Sequence, residues 1–270
     1  MNRIAIPLGL VLLCLASTEI AAENRETIAV IGTGDMGDSL GPRLAAIGYR
    51  VVYGSRDPQN DKVAALVALT GHGATAASQI EAAQEGDIVF TLVTWPAMET
   101  VAQSLGNLDG KTVVDVSMPF AQGLDGYPQS MVDTSSAEMI QQWNPGAKVV
   151  KAFATQGSQI IDDPLVAGGP ITVPLASNDR DAKQKVAAIV AALGLEPVDF
   201  GPLRMAREIE AMQMIYMIPI VQHRPSSWEF YFRRSQYWAC LPQPEVGATV
   251  FDAKNLAEMP GPADPIRSCP

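Results

Sequence analysis

Short apolar segments alternate with longer stretches of helical periodicity from residue 27 onward. Apolar runs bounded by turn-forming residues predict strands over 27–31, 50–53, 88–93, 112–116, 148–152, 171–175 and 197–200. The stretches between them predict helices over 37–47, 61–69, 97–105, 135–142 and 179–193. Continuously apolar strands separated by helices are typical of an α/β protein with a doubly wound parallel sheet.

One more helix is predicted over 203 to about 218, where Met205, Ile209, Met212 and Tyr216 recur near helical spacing. Pro219 is expected to end or kink this helix. Methionine sulfur binds soft metals such as Cu(I), so the methionines suggest a metal site as an alternative. A buried apolar stripe is favoured, because methionine is a common filler of hydrophobic cores.

The chain changes character after residue 222. Aromatic residues crowd 228–238, and six prolines between 242 and 270 prevent regular structure. We predict an aromatic segment docked on the domain, followed by an irregular tail, over 223–270. A lid or a partner-binding patch is the alternative, and it requires the aromatic side chains to be exposed.

The first 22 residues have the layout of a secretory signal peptide. Arg3 precedes an apolar run over 4–16, and small residues precede Glu23. We expect cleavage and export, periplasmic or secreted, with an uncleaved membrane anchor as the alternative. Cleavage leaves no stable membrane span. It also removes Cys14 and leaves Cys240 and Cys269, whose pairing stays open because spacing does not report geometry.

Composition then excludes several classes of protein. Hydrophobic residues make up 47% of the chain and charged residues 18%, which argues against disorder. The 19 Lys and Arg against 29 Asp and Glu give a formal net charge of −10. Such a surface repels phosphate backbones, so nucleic acid is not an expected partner.

The sharpest motif is a glycine-rich turn directly after the first predicted strand: Gly32-Thr33-Gly34-Asp35-Met36-Gly37. In this GxGxxG pattern the first glycine permits a tight turn, the second lets the backbone approach a pyrophosphate, and the third lets the helix pack closely. The N-terminus of the following helix offers free N–H groups to the phosphates. The motif therefore predicts dinucleotide binding.

The end of the second predicted strand indicates which dinucleotide is bound. An acidic residue there would accept hydrogen bonds from a ribose 2′-hydroxyl, but the chain has Ser55 and Arg56 instead. A guanidinium can bind a 2′-phosphate through two parallel hydrogen bonds. We therefore predict NADP over NAD, with Lys62 in support and Asp57 weakening the prediction slightly.

Five ordered blocks of sequence between about residues 27 and 217 resemble a known family. They are similar to the NADP-dependent reductases of the deazaflavin coenzyme F-420 and to the NADPH-binding domain of the STEAP metalloreductases. The blocks are GTGDMG at 32–37, GSRDP at 54–58, DVSMP at 115–119, KVVKAF at 148–153 and DFGPL at 199–203, and AREIEAM at 206–212 is similar to the STEAP proteins in particular.

The resemblance implies hydride transfer between NADP(H) and a deazaflavin or flavin-type acceptor, a small-molecule redox partner. It implies a Rossmann-type domain over 23–145 and a smaller C-terminal α/β region over 146–222, and the tail lies outside the resemblance. The implied cofactor contacts are Thr33, Gly34, Asp35 and Met36 at the pyrophosphate, Ser55 and Arg56 at the 2′-phosphate, Val93, Thr94 and Trp95 along the cofactor, and Phe153 and Ala154 near the nicotinamide.

No catalytic residue and no metal ligand are assigned, because hydride transfer between two stacked rings mainly needs alignment. The only histidines, His72 and His223, have no nearby partner for a metal site. Asp115 and Asp199, at strand ends, either touch ligand or cap the following turns. A flavin-assisted exported metal reductase and a non-catalytic partner-binding module remain alternative functions. The oligomeric state stays open, with a homodimer as one option.

Arg56→Glu tests the cofactor prediction. The change places a carboxylate where a 2′-phosphate is expected, so NADPH binding should weaken much more than NADH binding. Calorimetric titration of the mature chain with each nucleotide measures both. Equal effects on the two would remove the 2′-phosphate role of Arg56.

Overall fold

The computed structural model describes residues 26–224 and 228–233. Its strands are β1 (Thr27–Ile31), β2 (Arg50–Ser55), β3 (Thr75–Ser78), β4 (Ile88–Thr91), β5 (Thr112–Asp115), β6 (Phe120–Gln122), β7 (Pro128–Ser130), β8 (Lys148–Lys151), β9 (Thr172–Leu175) and β10 (Glu196–Asp199). Its α-helices are α1 (Asp35–Ala46), α2 (Asp61–Thr70), α3 (Gln79–Glu85), α4 (Trp95–Ser104), α5 (Ser136–Trp143), α6 (Ser158–Asp162), α7 (Arg180–Ala192) and α8 (Ala206–Val221).

Six strands form one parallel sheet in the order β3-β2-β1-β4-β5-β8. Strand β1 lies near the centre and pairs with β2 on one side and β4 on the other. Its side chains alternate between the faces: Ile28 and Val30 join one hydrophobic cluster, and Ala29 and Ile31 join the other. The predicted Rossmann-type α/β fold is confirmed.

Helices cover both faces of this sheet. One cluster collects apolar side chains of α1, α2, α6 and α7, and the other collects those of α3, α4, α5 and the start of α8. Side chains that accept a hydrogen bond from a first-turn N–H begin several helices: Asn60 caps α2, Ser78 caps α3 and Asp179 caps α7. Helices α2 and α7 thereby begin within one residue of their predicted starts, and α3 was not predicted.

Two smaller sheets flank the main one. Strands β9 and β10 are parallel, and a single antiparallel bridge between Lys151 and Ala176 joins β9 to the end of β8. Strands β6 and β7 form a short antiparallel hairpin. Strand β8, which the sequence pattern assigns to the smaller C-terminal region, pairs with β5 inside the main sheet.

Helix α8 differs from its prediction at its C-terminal end. Pro219 does not end the helix, which runs on to Val221, and the Gln222 N–H donates to the Ile218 carbonyl at 3.0 Å. Proline removes one donor, and only the carbonyl one turn earlier loses a partner, so a proline in the last turn is tolerated.

Part of the aromatic segment is docked on the domain. The Phe230 carbonyl accepts a hydrogen bond from the Thr172 N–H at 2.9 Å, at the start of β9. Trp228 and Tyr231 are 42% and 48% exposed. The first compact unit ends at Tyr231. Outside the described residues lie the predicted signal peptide, Cys240, Cys269 and most of the tail. Among the described residues, no helix is long and apolar enough to cross a membrane.

We predict that Thr70→Val destabilises the fold by about 1–3 kcal/mol, because it leaves the buried Tyr53 hydroxyl without a partner. The two hydroxyl oxygens lie 2.6 Å apart, and the Thr70 hydroxyl donates to the Leu66 carbonyl at 2.8 Å. Burial raises the pKa of Tyr53 to about 12, so it is the neutral phenol at physiological pH. Urea unfolding measures the loss.

Tyr53→Phe on the Thr70→Val background is the control. It removes the unpaired hydroxyl and should recover most of the lost stability, since replacing both partners by apolar groups is nearly neutral. Strictly additive losses in the two single variants would contradict a hydrogen-bonded pair.

Candidate functional site

The carboxyl ends of β1, β2 and β4 meet at one edge of the sheet. The chain leaves β1 for β2 on one side and later reaches β4 on the other, so the order of strands reverses beside β1. In open α/β sheets this reversal leaves a crevice where ligands bind. The Gly32 N–H donates to the Gly54 carbonyl at 3.1 Å, and the Leu92 N–H donates to the Ile31 carbonyl at 2.9 Å. The glycine loop is thereby tied to both neighbouring strands.

Two glycines of the loop are required by the fold itself. Gly32 has a φ of +123°, and a Cβ there would lie 2.6 Å from the Leu92 carbonyl oxygen. A Cβ on Gly37 would lie 2.2 Å from the Gly32 carbonyl oxygen. Neither position accepts a side chain, because the helix and the next strand approach the loop too closely.

Gly34 is different, because nothing in the protein requires a glycine there. Its φ of −93° and ψ of −169° are open to any residue, and a Cβ would meet no atom within 4 Å. Gly34 is the N-cap of α1 and no side chain caps that helix, so its first N–H groups face the space that Gly34 leaves open. That space and those donors fit a diphosphate group.

Charged side chains of both signs lie near the glycine loop. Of the predicted pyrophosphate contacts, Thr33 and Met36 are half-buried and Asp35 is exposed. Asp38, also in the first turn of α1, has Oδ2 3.4 Å from Lys62 Nζ. Lys62 therefore offsets one of the two acidic side chains near the helix N-terminus.

The residues predicted to bind a 2′-phosphate follow β2 at the same edge. The Ser55 hydroxyl bonds to Asp57 twice, donating to the carbonyl at 3.1 Å and accepting from the N–H at 3.2 Å. This turn is built by Ser55 whether or not a ligand binds. Arg56 is exposed, and among the described residues it makes no hydrogen bond or ion pair, so its guanidinium is free to bind an anion.

The segment after β4 lies beside the glycine loop. Val93 and Trp95 are half-buried against the cluster under α3, α4 and α5, while Thr94 is the exposed N-cap of α4. The Trp95 ring stacks on Trp143, with centroids 6.0 Å apart. Trp95 therefore has a packing role, and its contact with cofactor stays a prediction.

Phe153 and Ala154 follow β8 and are both buried. Phe153 has a φ of +54°, which a phenylalanine rarely adopts, and its ring packs on Phe90 with centroids 5.9 Å apart. Ala154 packs with Ile209 of α8. The predicted nicotinamide wall is thus a strained turn between the sheet and α8, and strained backbone clusters at binding sites.

A buried ion network lies directly beneath this wall and is absent from the sequence predictions. Lys151, the last residue of β8, has Nζ 3.0 Å from Asp115 Oδ2, 3.0 Å from Glu210 Oε1, 2.9 Å from Ser136 Oγ and 2.8 Å from the Ser117 carbonyl. The Lys151 and Asp115 side chains are completely buried, and that of Glu210 is 7% exposed. The network joins β5, β8, α5 and α8.

The network keeps Lys151 charged. Burial lowers the pKa of Lys151, but the negative charge of Asp115 and the hydrogen bonds to Asp115 and Glu210 more than offset this and hold it above its ordinary value. Asp115 also accepts bonds from the Ser117 N–H and hydroxyl, so the turn-capping alternative describes it. The signal in the sequence was a lysine at the end of an apolar strand, which implies a buried partner.

The remaining candidates lie elsewhere. Asp199 is exposed, accepts from Lys183 and the Gly201 N–H, and caps its turn. His72 and His223 are exposed. Met205 and Met212 are half-buried beside buried Ile209 and Tyr216, and the described residues contain no group of three or more His, Cys, Asp or Glu that could hold a metal ion.

The chain is similar in sequence to known NADP-dependent reductases. A family model described as NADP oxidoreductase, coenzyme F420-dependent, matches residues 27–119. The F420-dependent NADP reductase of Methanothermobacter marburgensis is 30% identical over 198 residues, which cover 68% of this chain and 87% of that protein. The chain belongs to the F420-dependent NADP reductase family. The predicted resemblance is confirmed.

Two further relatives bear on the family. Metalloreductase STEAP3 of Rattus norvegicus is 30% identical over 191 residues, which cover 69% of this chain, and the chain spans only 36% of that protein's length. The crystal structure of a candidate F420-dependent NADP reductase from Arthrobacter sp. FB24 has a TM-score of 0.68 and 28% identity, covering 77% of this chain and 99% of its own. The family relationship supports an NADP-dependent oxidoreductase.

We predict that Gly34→Ala weakens NADPH binding about tenfold or more while leaving the thermal midpoint unchanged. The added methyl group enters the space expected for the diphosphate but touches no protein atom. Calorimetric titration measures the affinity, and a thermal unfolding scan measures the stability.

Gly169→Ala is the matched control, since a Cβ there also meets nothing within 4 Å and its φ is not positive. It should change neither quantity. If Gly34→Ala binds NADPH as the control does, the space at Gly34 does not hold the diphosphate.

Proposed function

We propose that the protein transfers a hydride between NADP(H) and a deazaflavin or flavin-type acceptor. The observation that carries the proposal is Gly34, whose lack of a side chain serves no contact in the protein and leaves room at a helix N-terminus. The unpaired, exposed Arg56 at the next strand end supports NADP over NAD. The F420-dependent NADP reductase relatives support the class of acceptor.

Bound NADPH supplies the hydride, which carries two electrons and one proton, and the acceptor takes a further proton from water. The chain's own residues bind and orient. Free N–H groups of α1 hold the diphosphate, Arg56 holds the 2′-phosphate, and the turn at Phe153 and Ala154 forms a dry wall beside the nicotinamide. Holding two rings in contact lowers the barrier through alignment, so no side-chain acid or base is needed.

Hydride transfer is tested with the mature chain, NADPH and a deazaflavin acceptor, followed by NADPH absorbance. We expect saturable turnover that falls at least about tenfold in Gly34→Ala and stays unchanged in Gly169→Ala. Binding of NADPH without turnover on deazaflavin or flavin would refute the acceptor class. Failure of the folded chain to bind either nucleotide would favour a partner-binding module instead.

Flavin-assisted reduction of ferric or cupric ions is a second candidate. The similarity to metalloreductase STEAP3 over 69% of this chain favours it. The expected result is NADPH-dependent ferric reduction that requires added flavin. Ferric reduction without flavin, or none with it, would contradict this candidate.

We also propose that the domain works outside the cytoplasm, on the basis of the N-terminal sequence. Arg3, the apolar run over 4–16 and the small residues before Glu23 support a cleaved signal peptide. N-terminal sequencing of the exported chain should begin at Glu23. Retention of the first residues in a membrane fraction would support the uncleaved anchor.

A further inference from the structure

The Ser136 hydroxyl stands between two carboxyl groups and has only one hydrogen to donate. Its Oγ lies 2.5 Å from Asp115 Oδ2 and 2.6 Å from Glu210 Oε1. Both separations are hydrogen-bond distances, so each needs a proton between the oxygens. One proton comes from Ser136, and the other must come from a carboxylic acid.

Hydrogen bonding identifies which carboxyl group carries that proton. Asp115 already accepts four bonds, from the Ser117 N–H and hydroxyl on one oxygen and from Lys151 and Ser136 on the other. These four donors occupy the acceptor sites of a carboxylate, so Asp115 has no oxygen site left for the extra proton. Glu210 has two donors besides Ser136 Oγ, the Ser136 N–H at 2.9 Å and Lys151 Nζ at 3.0 Å from Oε1, and it can itself donate to Ser136 Oγ. The chain of donors then runs from Glu210 through Ser136 to Asp115.

Charge balance gives the same assignment. One buried ammonium faces two buried carboxyl groups, and two ionised carboxylates would leave an uncompensated charge away from water. Burial raises the pKa of Glu210, Lys151 lowers it, and Asp115 raises it further, with the net direction upward. Arg207 of α8 does not supply a second compensating cation, because it bonds to both oxygens of Glu138 of α5 at 2.7 and 2.8 Å.

The network also sets the backbone of the nicotinamide wall. The Ala152 N–H, next to Lys151, donates to the Asp115 carbonyl at 3.1 Å, and Phe153 then turns at a φ of +54°. Ala154 packs on Ile209, the neighbour of Glu210 on α8. The strand end and the helix are therefore pinned on both sides of the strained turn, which surrounding contacts must hold in place.

We propose that Lys151, Asp115 and Glu210, with Glu210 as a neutral carboxylic acid, are positioning residues that hold the Phe153–Ala154 turn against the nicotinamide. The inference rests on the proposed function for its cofactor readout. Lys151 holds the end of β8, Asp115 holds the end of β5, and Glu210 holds α8. Asp115 and Glu210 are joined through Lys151 and Ser136.

Lys151→Met tests the positioning role in the full chain. Two ligands are titrated: NADPH, and adenosine 2′,5′-bisphosphate, which carries the adenosine and 2′-phosphate but no nicotinamide. We expect kcat and NADPH affinity to fall by about tenfold or more, while affinity for the bisphosphate changes less than about twofold. Arg207→Gln is the control, since it breaks the ion pair of α8 with Glu138 of α5 and should leave the ratio of the two affinities unchanged.

Two substitutions of Glu210 test whether it is a neutral acid, and their result does not depend on how well Lys151→Met folds. Glu210→Leu removes the donor to Ser136 and should shift the ratio as Lys151→Met does. Glu210→Gln keeps a neutral donor at that place and should restore the ratio. Infrared spectra of wild type and Glu210→Gln at neutral pH should differ by a protonated carboxyl band.

Each failure has its own meaning. A ratio unchanged in both Lys151→Met and Glu210→Leu, with lowered thermal midpoints, would make the network structural only. Glu210 would be shown to be ionised by two results together. Glu210→Gln would behave like Glu210→Leu, and its infrared spectrum would show the same protonated carboxyl bands as wild type. Wild type that binds neither ligand would refute the proposed function, and the infrared comparison would still decide the protonation of Glu210.

Discussion

The buried ammonium group of Lys151 holds together the edge of the main sheet at which its parallel strands end. Lys151 contacts β5, α5 and α8 from the end of β8, and none of its partners is a water-exposed carboxylate. An unpaired charge in such a place is strongly unfavourable, so the native fold requires all four elements to be in contact here. The turn through Phe153 continues directly from this point, so the shape of the candidate nicotinamide wall depends on the same contact.

The glycine loop defines the other side of the crevice and obeys two separate constraints. Gly32 and Gly37 are glycines because backbone atoms of neighbouring segments leave no room for a Cβ. Gly34 has room, and its glycine makes sense only if something else approaches. Within six residues, two glycines are therefore required by the fold, and one is explained by the proposed dinucleotide.

Apolar periodicity located seven strands within two residues of their ends, because continuously buried strands leave a strong pattern. It missed β3, whose half-exposed Thr75-Ala76-Ala77-Ser78 segment is neither apolar nor β-branched throughout. It also missed the three-residue strands of the β6–β7 hairpin and the short helices α3 and α6, which are too brief for a period to show. These elements form through contacts with the rest of the fold.

The sequence by itself determined the alternation of strands and helices, the glycine loop and the position of Arg56 after β2, since each depends on residues close together in the chain. Only the tertiary structure decided the role of Lys151. Its partners Asp115, Ser136 and Glu210 come from positions far apart in sequence, and no local pattern records that they meet. Only the tertiary structure shows the empty space beside Gly34, because that space depends on where the other parts of the chain lie.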